Sequence, residues 1–159
     1  MKSFPSILAS AAAIFAFGAA TVDAKPGWLT DLKQAQEEAK ANKKLVLLDF
    51  TGSDWCGYCI KLDREVFSRP EFKDYASKNF VLVEIDFPRA KEQSATERRQ
   101  NFELQDRFGI QGYPTIVILD PEGKKVGVLG YDAAIPDDAR EMRGTPEAFI
   151  ANLEKLKKS

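Results

Sequence analysis

The chain has no histidine and only two cysteines among its 159 residues. Structural zinc is held by four ligands, mostly Cys and His, so two thiols alone do not make such a site. One sign of charge does not dominate either: 23 basic and 24 acidic side chains leave a net charge of −1. That balance supplies no basic field for nucleic acid, and the charges are mixed along the chain, giving no generic acidic or basic partner surface. Internal repeats, low-complexity tracts and interdomain linkers are also missing. What is present, 44% hydrophobic and 30% charged residues, suits one globular domain with an ordinary core.

The first two dozen residues stand apart. Lys2 is followed by the apolar stretch through Ala20, and Val22-Asp23-Ala24 ends it with small or β-branched residues at the positions signal peptidase reads. The pattern predicts an export signal, residues 1–24, cut after Ala24, with a domain over 25–159. An uncleaved anchor is the alternative, but the run is short for a span of ~20 residues. Export would place the thiols in a periplasmic or secreted setting, where disulfides persist.

Leu32, Ala35 and Ala39 fall at helical spacing, with Thr30 or Asp31 as cap and Asn42 as end. Lys44–Phe50 is a short buried strand and Thr51–Trp55 a turn. A helix should run from Cys56 to about Phe67, with Cys59, Leu62 and Val66 on one face. Ser68 and Glu71 form a capping-box pattern opening the next helix. Phe80–Phe87 reads as a second core strand, on which Glu84 and Asp86 alternate with Val83 and Ile85 as the wetter side. A polar segment follows and becomes helical near Ser94, a second capping box, ending at Gly109. Thr115–Leu119 and Lys125–Leu129 make a hairpin across the Asp120-Pro121-Glu122-Gly123 turn. Asp132–Gly144 is a loop, and Thr145-Pro146 opens the last helix. The order implies an α/β fold: one mixed sheet with helices on both faces. Phe67, Phe72 and Phe108 belong to its core. The charged stretch Arg89–Arg99 is a solvated loop and helix face, with a docking surface as the alternative.

Both cysteines lie in Trp55-Cys56-Gly57-Tyr58-Cys59, directly after the first strand. A thiolate, not a thiol, attacks a disulfide, and a free cysteine has a pKa of about 8.5. A sulfur at a helix N-terminus faces unpaired N–H groups and the positive end of the dipole, which favour the anion. Cys59, one turn on, is placed to reach Cys56. A purely structural disulfide is the alternative, although closing so short a loop removes little chain entropy. Redox chemistry fits best at a strand-to-helix junction. A thiol peroxidase is disfavoured, because Ser53 stands where a Thr-x-x-Cys motif needs threonine.

Leu47-Leu48-Asp49-Phe50, Asp54-Trp55-Cys56-Gly57-Tyr58-Cys59 and Gly112-Tyr113-Pro114-Thr115 together resemble the thioredoxin superfamily. Within it, the chain is most similar to exported thioredoxin-like proteins and to the catalytic domains of periplasmic thiol:disulfide interchange proteins. The resemblance implies a thioredoxin fold with a four- to five-stranded mixed sheet. It implies Cys56 as the exposed nucleophile, Cys59 as the buried resolving thiol and Pro114 as a cis proline facing them. The Tyr113 backbone would pair with an extended substrate strand, and Trp55, Gly57 and Tyr58 would border it, Trp55 being alternatively a core residue. Asp49, in an otherwise apolar strand, should have a raised pKa and would act as proton acceptor for Cys59; the bland alternative is a strand-end carboxylate bonded to backbone. Two departures stand out: one extra residue between Asp49 and Cys56, and Leu82 where thioredoxin carries a lysine.

The function implied is thiol-disulfide exchange with cysteine-containing proteins, in the reductase or isomerase direction. It needs no metal or organic cofactor. Electrons would pass to or from another thiol protein, a membrane-bound one included. A non-catalytic binding or chaperone module with a structural disulfide is the competing expectation.

Overall fold

The structure, a computed structural model, describes residues 24–130 and 144–158. The expected export signal up to Asp23, and the expected loop apart from Gly144, lie outside the described residues. Asp31 caps α1 (Leu32–Asn42) by accepting from the Gln34 amide at 2.8 Å, and Lys43 closes the helix in a left-handed conformation. β1 (Leu45–Thr51) leads into α2 (Gly57–Leu62), which widens into a π-helical turn, Asp63–Phe67. Then come α3 (Pro70–Asn79), β2 (Phe80–Asp86), α4 (Ala95–Phe108), β3 (Thr115–Leu119), β4 (Lys125–Gly130) and α5 (Pro146–Lys157). The element order matches the sequence expectation throughout.

One capping expectation fails. Ser68 does not cap α3: Arg69 occupies that position without a side-chain bond. The Ser68 hydroxyl instead donates to Asp63 Oδ2 at 3.2 Å. The π turn adds a residue before the chain leaves the helix, so the serine falls one position early and serves the preceding element. Ser94 and Thr145 do cap, accepting from Glu97 and Ala148 amides at 3.1 and 3.3 Å.

Among the described residues the sheet has four strands in the order β2-β1-β3-β4. β1 and β2 are parallel, with Asp49 opposite Glu84, while β1–β3 and β3–β4 are antiparallel. Gly123 (φ +86°) completes the β3–β4 turn with its amide on Asp120 O, 2.9 Å. Leu29 adds a single parallel bridge beside Val83 on the outer edge of β2.

Alternation along β1 sends Val46, Leu48 and Phe50 to the face covered by α1 and α4, and Leu47 to the face covered by α2, α3 and α5. Asp49 shares the parity of Leu47. On that second face Phe67, Phe72 and Phe149 form a cluster with ring centroids 5.0 to 5.8 Å apart. Edge and tilted contacts of this kind add to area burial, and Phe72 is wholly buried. Removing its ring should leave a cavity shared by three helices. Phe72→Ala is therefore expected to lower the unfolding free energy by about 3–5 kcal/mol in urea titrations; a loss below about 1 kcal/mol would contradict this packing.

Candidate active site

The site begins where two parallel strands end. After β1 the chain turns at Gly52, and the Cys56 amide donates back to Gly52 O at 2.9 Å. A Cβ on Gly52 would lie 2.5 Å from Trp55 Cε2, so glycine is what lets the indole fold against the turn.

At the end of β2, Asp86 accepts from the Ser53 amide and hydroxyl at 2.9 and 2.6 Å. Asp54 reciprocates, accepting from the amides of Arg89, Ala90 and Lys91 at 3.0, 2.7 and 3.2 Å. Those amide bonds hold its carboxyl below the usual range. Trp55 Nε1 donates to Phe87 O at 2.8 Å, and the Arg89 guanidinium lies 3.9 Å from the indole ring centre. Two loops are thus fastened to each other by side chains reaching in both directions.

Cys56 follows as the N-cap of α2 and is disulfide-bonded to Cys59. The Cys59 amide donates to Cys56 Sγ at 3.2 Å. An N–H aimed at that sulfur stabilises its anion once the bond is reduced. The Tyr113–Pro114 peptide is cis, and Tyr113 O lies 3.7 Å from Cys56 Sγ. The nucleophile expected to be exposed is only 7% accessible, against 4% for Cys59. In the oxidised pair the partner sulfur and the Tyr113 carbonyl cover it.

Below the pair lies a charged cluster. Cys59 lines a cavity of about 340 Å³ together with Lys25, Asp63 and Glu84. Lys25 Nζ stands 3.0 Å from Asp63 Oδ1, 3.0 Å from Glu84 Oε1 and 3.5 Å from Asp49 Oδ2. It also lies 4.9 Å from the Trp28 ring centre. Burial alone pushes the ammonium down, but the carboxylates of Asp49, Glu84 and Asp63 outweigh it and hold Lys25 above the ordinary lysine range. Asp49 is 2% exposed, and its Oδ1 accepts no hydrogen bond among the described residues. Burial pushes its carboxyl up to about 7, Lys25 opposes, and Glu84 adds to the rise. Burial raises Glu84 as well, against the pull of Lys25. Among the described residues no grouping of His, Cys, Asp and Glu forms a metal site; a lysine bridges these acids.

The sequence-selected residues Cys56, Cys59, Trp55, Tyr113 and Pro114 converge here, with Gly57 and the 63%-exposed Tyr58 on the rim. Trp55 is partly buried and flanks the pair. Asp49 sits in the cluster below and is not a strand-end carboxylate bonded to backbone. Glu84 and Asp86 are corrected: they are 5% and 8% exposed, not the wetter side of a strand. A parallel pair covered on both faces has no wet side, so each acid is held by a partner, Lys25 or Ser53. Lys25, Asp63 and the Asp54 clamp were missed. The signal available for Lys25 was a lone cation just before Trp28, in a chain whose Asp49 lacked its familiar lysine.

A parallel β1, a cis-proline loop and a thiol pair at a helix start define a thioredoxin fold. The thioredoxin-like domain family matches residues 32–136, and the chain belongs to that family. It is 37% identical over 99 residues to the disulfide bond reductase DsbH of Chlamydia pneumoniae, covering 62% of this chain and 60% of that one. A thiol:disulfide interchange protein, DsbD of Vibrio cholerae, is 32% identical over 111 residues, 68% of this chain but 17% of the relative. A solved DsbH oxidoreductase superposes with a TM-score of 0.70 at 29% identity, covering 89% and 94% of the two chains. The chain thus spans less than two thirds of the curated relatives it matches.

A carboxyl raised from 3.8 to about 7 keeps its proton in the folded chain where the unfolded chain has lost it. The folded form then holds more protons between those values, so stability falls as pH rises through that window. Relative to Asp49→Asn, the oxidised wild type is expected to lose about 2–4 kcal/mol between about pH 4 and about pH 8. Urea titrations at each pH check this; parallel profiles for the two proteins would contradict a raised Asp49.

Proposed function

We propose that the chain is an exported thiol-disulfide oxidoreductase acting on protein cysteine pairs, in the reductase or isomerase direction. The observation that carries the reading is the Cys56–Cys59 disulfide at the start of α2, with the Cys59 amide on the Cys56 sulfur and the cis Tyr113–Pro114 loop beside it. Resemblance to a protein named disulfide bond reductase supports the class and leans towards reduction.

In the reducing direction, the Cys56 thiolate attacks a substrate disulfide. A new S–S bond forms between Cys56 and one substrate sulfur, and the other leaves as a thiolate with the electron pair. Cys59 then loses its proton, bonds to Cys56 and expels the second substrate thiolate. Two electrons have passed to the substrate, and the Cys56–Cys59 bond has returned. A second thiol protein, in or at a membrane, resupplies them. No metal or organic cofactor takes part.

Asp49 is the proton acceptor for Cys59. With a pKa near 7 it can take a proton at working pH and return it. That transfer leaves the net charge of the site unchanged, and Lys25, between Asp49 and the cavity that Cys59 lines, offsets the negative charge whichever of the two groups carries it. Trp55, Gly57, Tyr58 and the Tyr113 backbone form the rim on which an extended substrate strand lies.

Cys56→Ser is expected to reduce insulin no faster than dithiothreitol alone, while Cys59→Ser accumulates a mixed disulfide with substrate. Asp49→Asn should slow release from that mixed disulfide by about 100-fold and leave its formation nearly unchanged, as stopped-flow measurement will show. Wild type no faster than the reagent would favour a binding module with a structural disulfide. For direction, equilibration with glutathione should give a potential between about −270 and −180 mV; a value near −120 mV would mark an oxidant.

A further inference from the structure

Four aromatic rings run in contact away from the cysteines. Trp55 meets the Tyr113 ring edge-on at 6.0 Å between centroids. Tyr113 stacks on Phe87 at 5.2 Å, and Phe87 meets Phe102 of α4 at 5.4 Å. The ladder starts at the residue before Cys56 and at the one whose carbonyl faces its sulfur. It ends at Phe102 of α4, which is 53% exposed. With the partly buried Trp55, Tyr113 and Phe87 it makes one continuous aromatic surface reaching from the cysteines into solvent, and contiguous exposed apolar surface of this kind marks a contact site.

The ladder lines an open groove of about 780 Å³. Arg89, Lys91 and Arg98 also line it, and Glu92 is the one carboxylate among its lining residues. The whole chain carries a net charge of −1, so this excess of cations is local. An extended strand advances about 3.3 Å per residue, and the ladder would accommodate roughly five residues of one.

We propose that this groove receives the stretch of a substrate protein that flanks its disulfide, and that it selects stretches pairing acidic side chains with apolar or aromatic ones. The proposal rests on the exchange reaction above and names its substrate class. Apolar side chains lie along the rings, and carboxylates meet the Arg89, Lys91 and Arg98 rim. Because the groove opens beside Trp55 and Tyr113, a segment seated there brings its cysteine to Cys56.

Two peptides test this. Each has one cysteine carried as a pyridyl disulfide; one is flanked on both sides by Phe and Glu, the other by Phe and Lys. The Cys56 thiolate of the reduced protein bonds to the peptide sulfur, the bond to the pyridyl sulfur breaks, and thiopyridone leaves with the electron pair. Each rate is divided by that peptide's rate with dithiothreitol, which removes intrinsic reactivity. The Glu peptide is expected to react at least about tenfold faster at low salt. The preference should shrink in about 1 M salt, where charges are screened within about 3 Å, and fall towards unity in Arg98→Gln and further in Arg98→Glu. Phe102→Ser should slow both peptides and keep their ratio. A wild-type ratio near one, or a ratio unmoved by both Arg98 variants, overturns the proposal. A neutral dipyridyl disulfide separates the two readings: if wild type fails to react with it, the exchange reaction itself is wrong; if it reacts without discriminating between the peptides, only the groove is.

Discussion

Everything reactive in this molecule hangs on a reciprocal fastening of two loops. The turn after β1 and the end of β2 with the segment that follows each send a carboxylate into the other's backbone, Asp54 to residues 89–91 and Asp86 to Ser53. Parallel strands place both loops at the same end of the sheet but do not by themselves fix one against the other. The two acids do so with charge-assisted hydrogen bonds, which are stronger than neutral ones. Asn101, wholly buried on α4, adds a third tie by donating to Asp86 O at 2.9 Å. Trp55, and with it the start of α2, is thereby held in one position without a ligand.

Polar material in the interior is concentrated on one side of the sheet near the cysteines. The opposite face, apart from the buried Asn101 of α4, is aliphatic and aromatic from Leu32 to Leu119. Burying Asp49 and Glu84 side by side, with the partly exposed Asp63 near them, is costly unless a cation is brought among them. Lys25 does this from a segment outside the regular sheet, aided by Trp28 and Phe67 rings 4.9 and 5.6 Å from its ammonium. The chain thus meets the electrostatic demand that Asp49 creates by a different route from the lysine of thioredoxin, which Leu82 replaces here.

The fold was legible because its signals are local. Strand runs, Ser94, Thr145, Gly109 and Gly123 announce themselves at short range, and the element order followed from them. The thiol pair was legible for the same reason, both residues falling within one turn of helix. What stayed hidden depends on register and on distant partners. Nothing near Glu84 in sequence says that it lies opposite Asp49, and nothing near Lys25 says that it reaches either. Ser68 misled because the π turn, which shifts the helix exit by one residue, carries no distinctive composition. Asp86 misled because alternation was read as a wet and a dry side in a strand covered on both.

The stretch from Lys25 to Leu29 carries one more implication. Leu29 exchanges backbone bonds with Leu82 and Glu84, Trp28 plugs the core beside Phe67, and Lys25 meets the acids. It behaves as a tethered ligand whose docking favours ionised carboxylates. By thermodynamic reciprocity, proton uptake by those acids must weaken its hold. The grip of the leading strap and the proton inventory beneath the sulfurs are then one equilibrium seen from two ends.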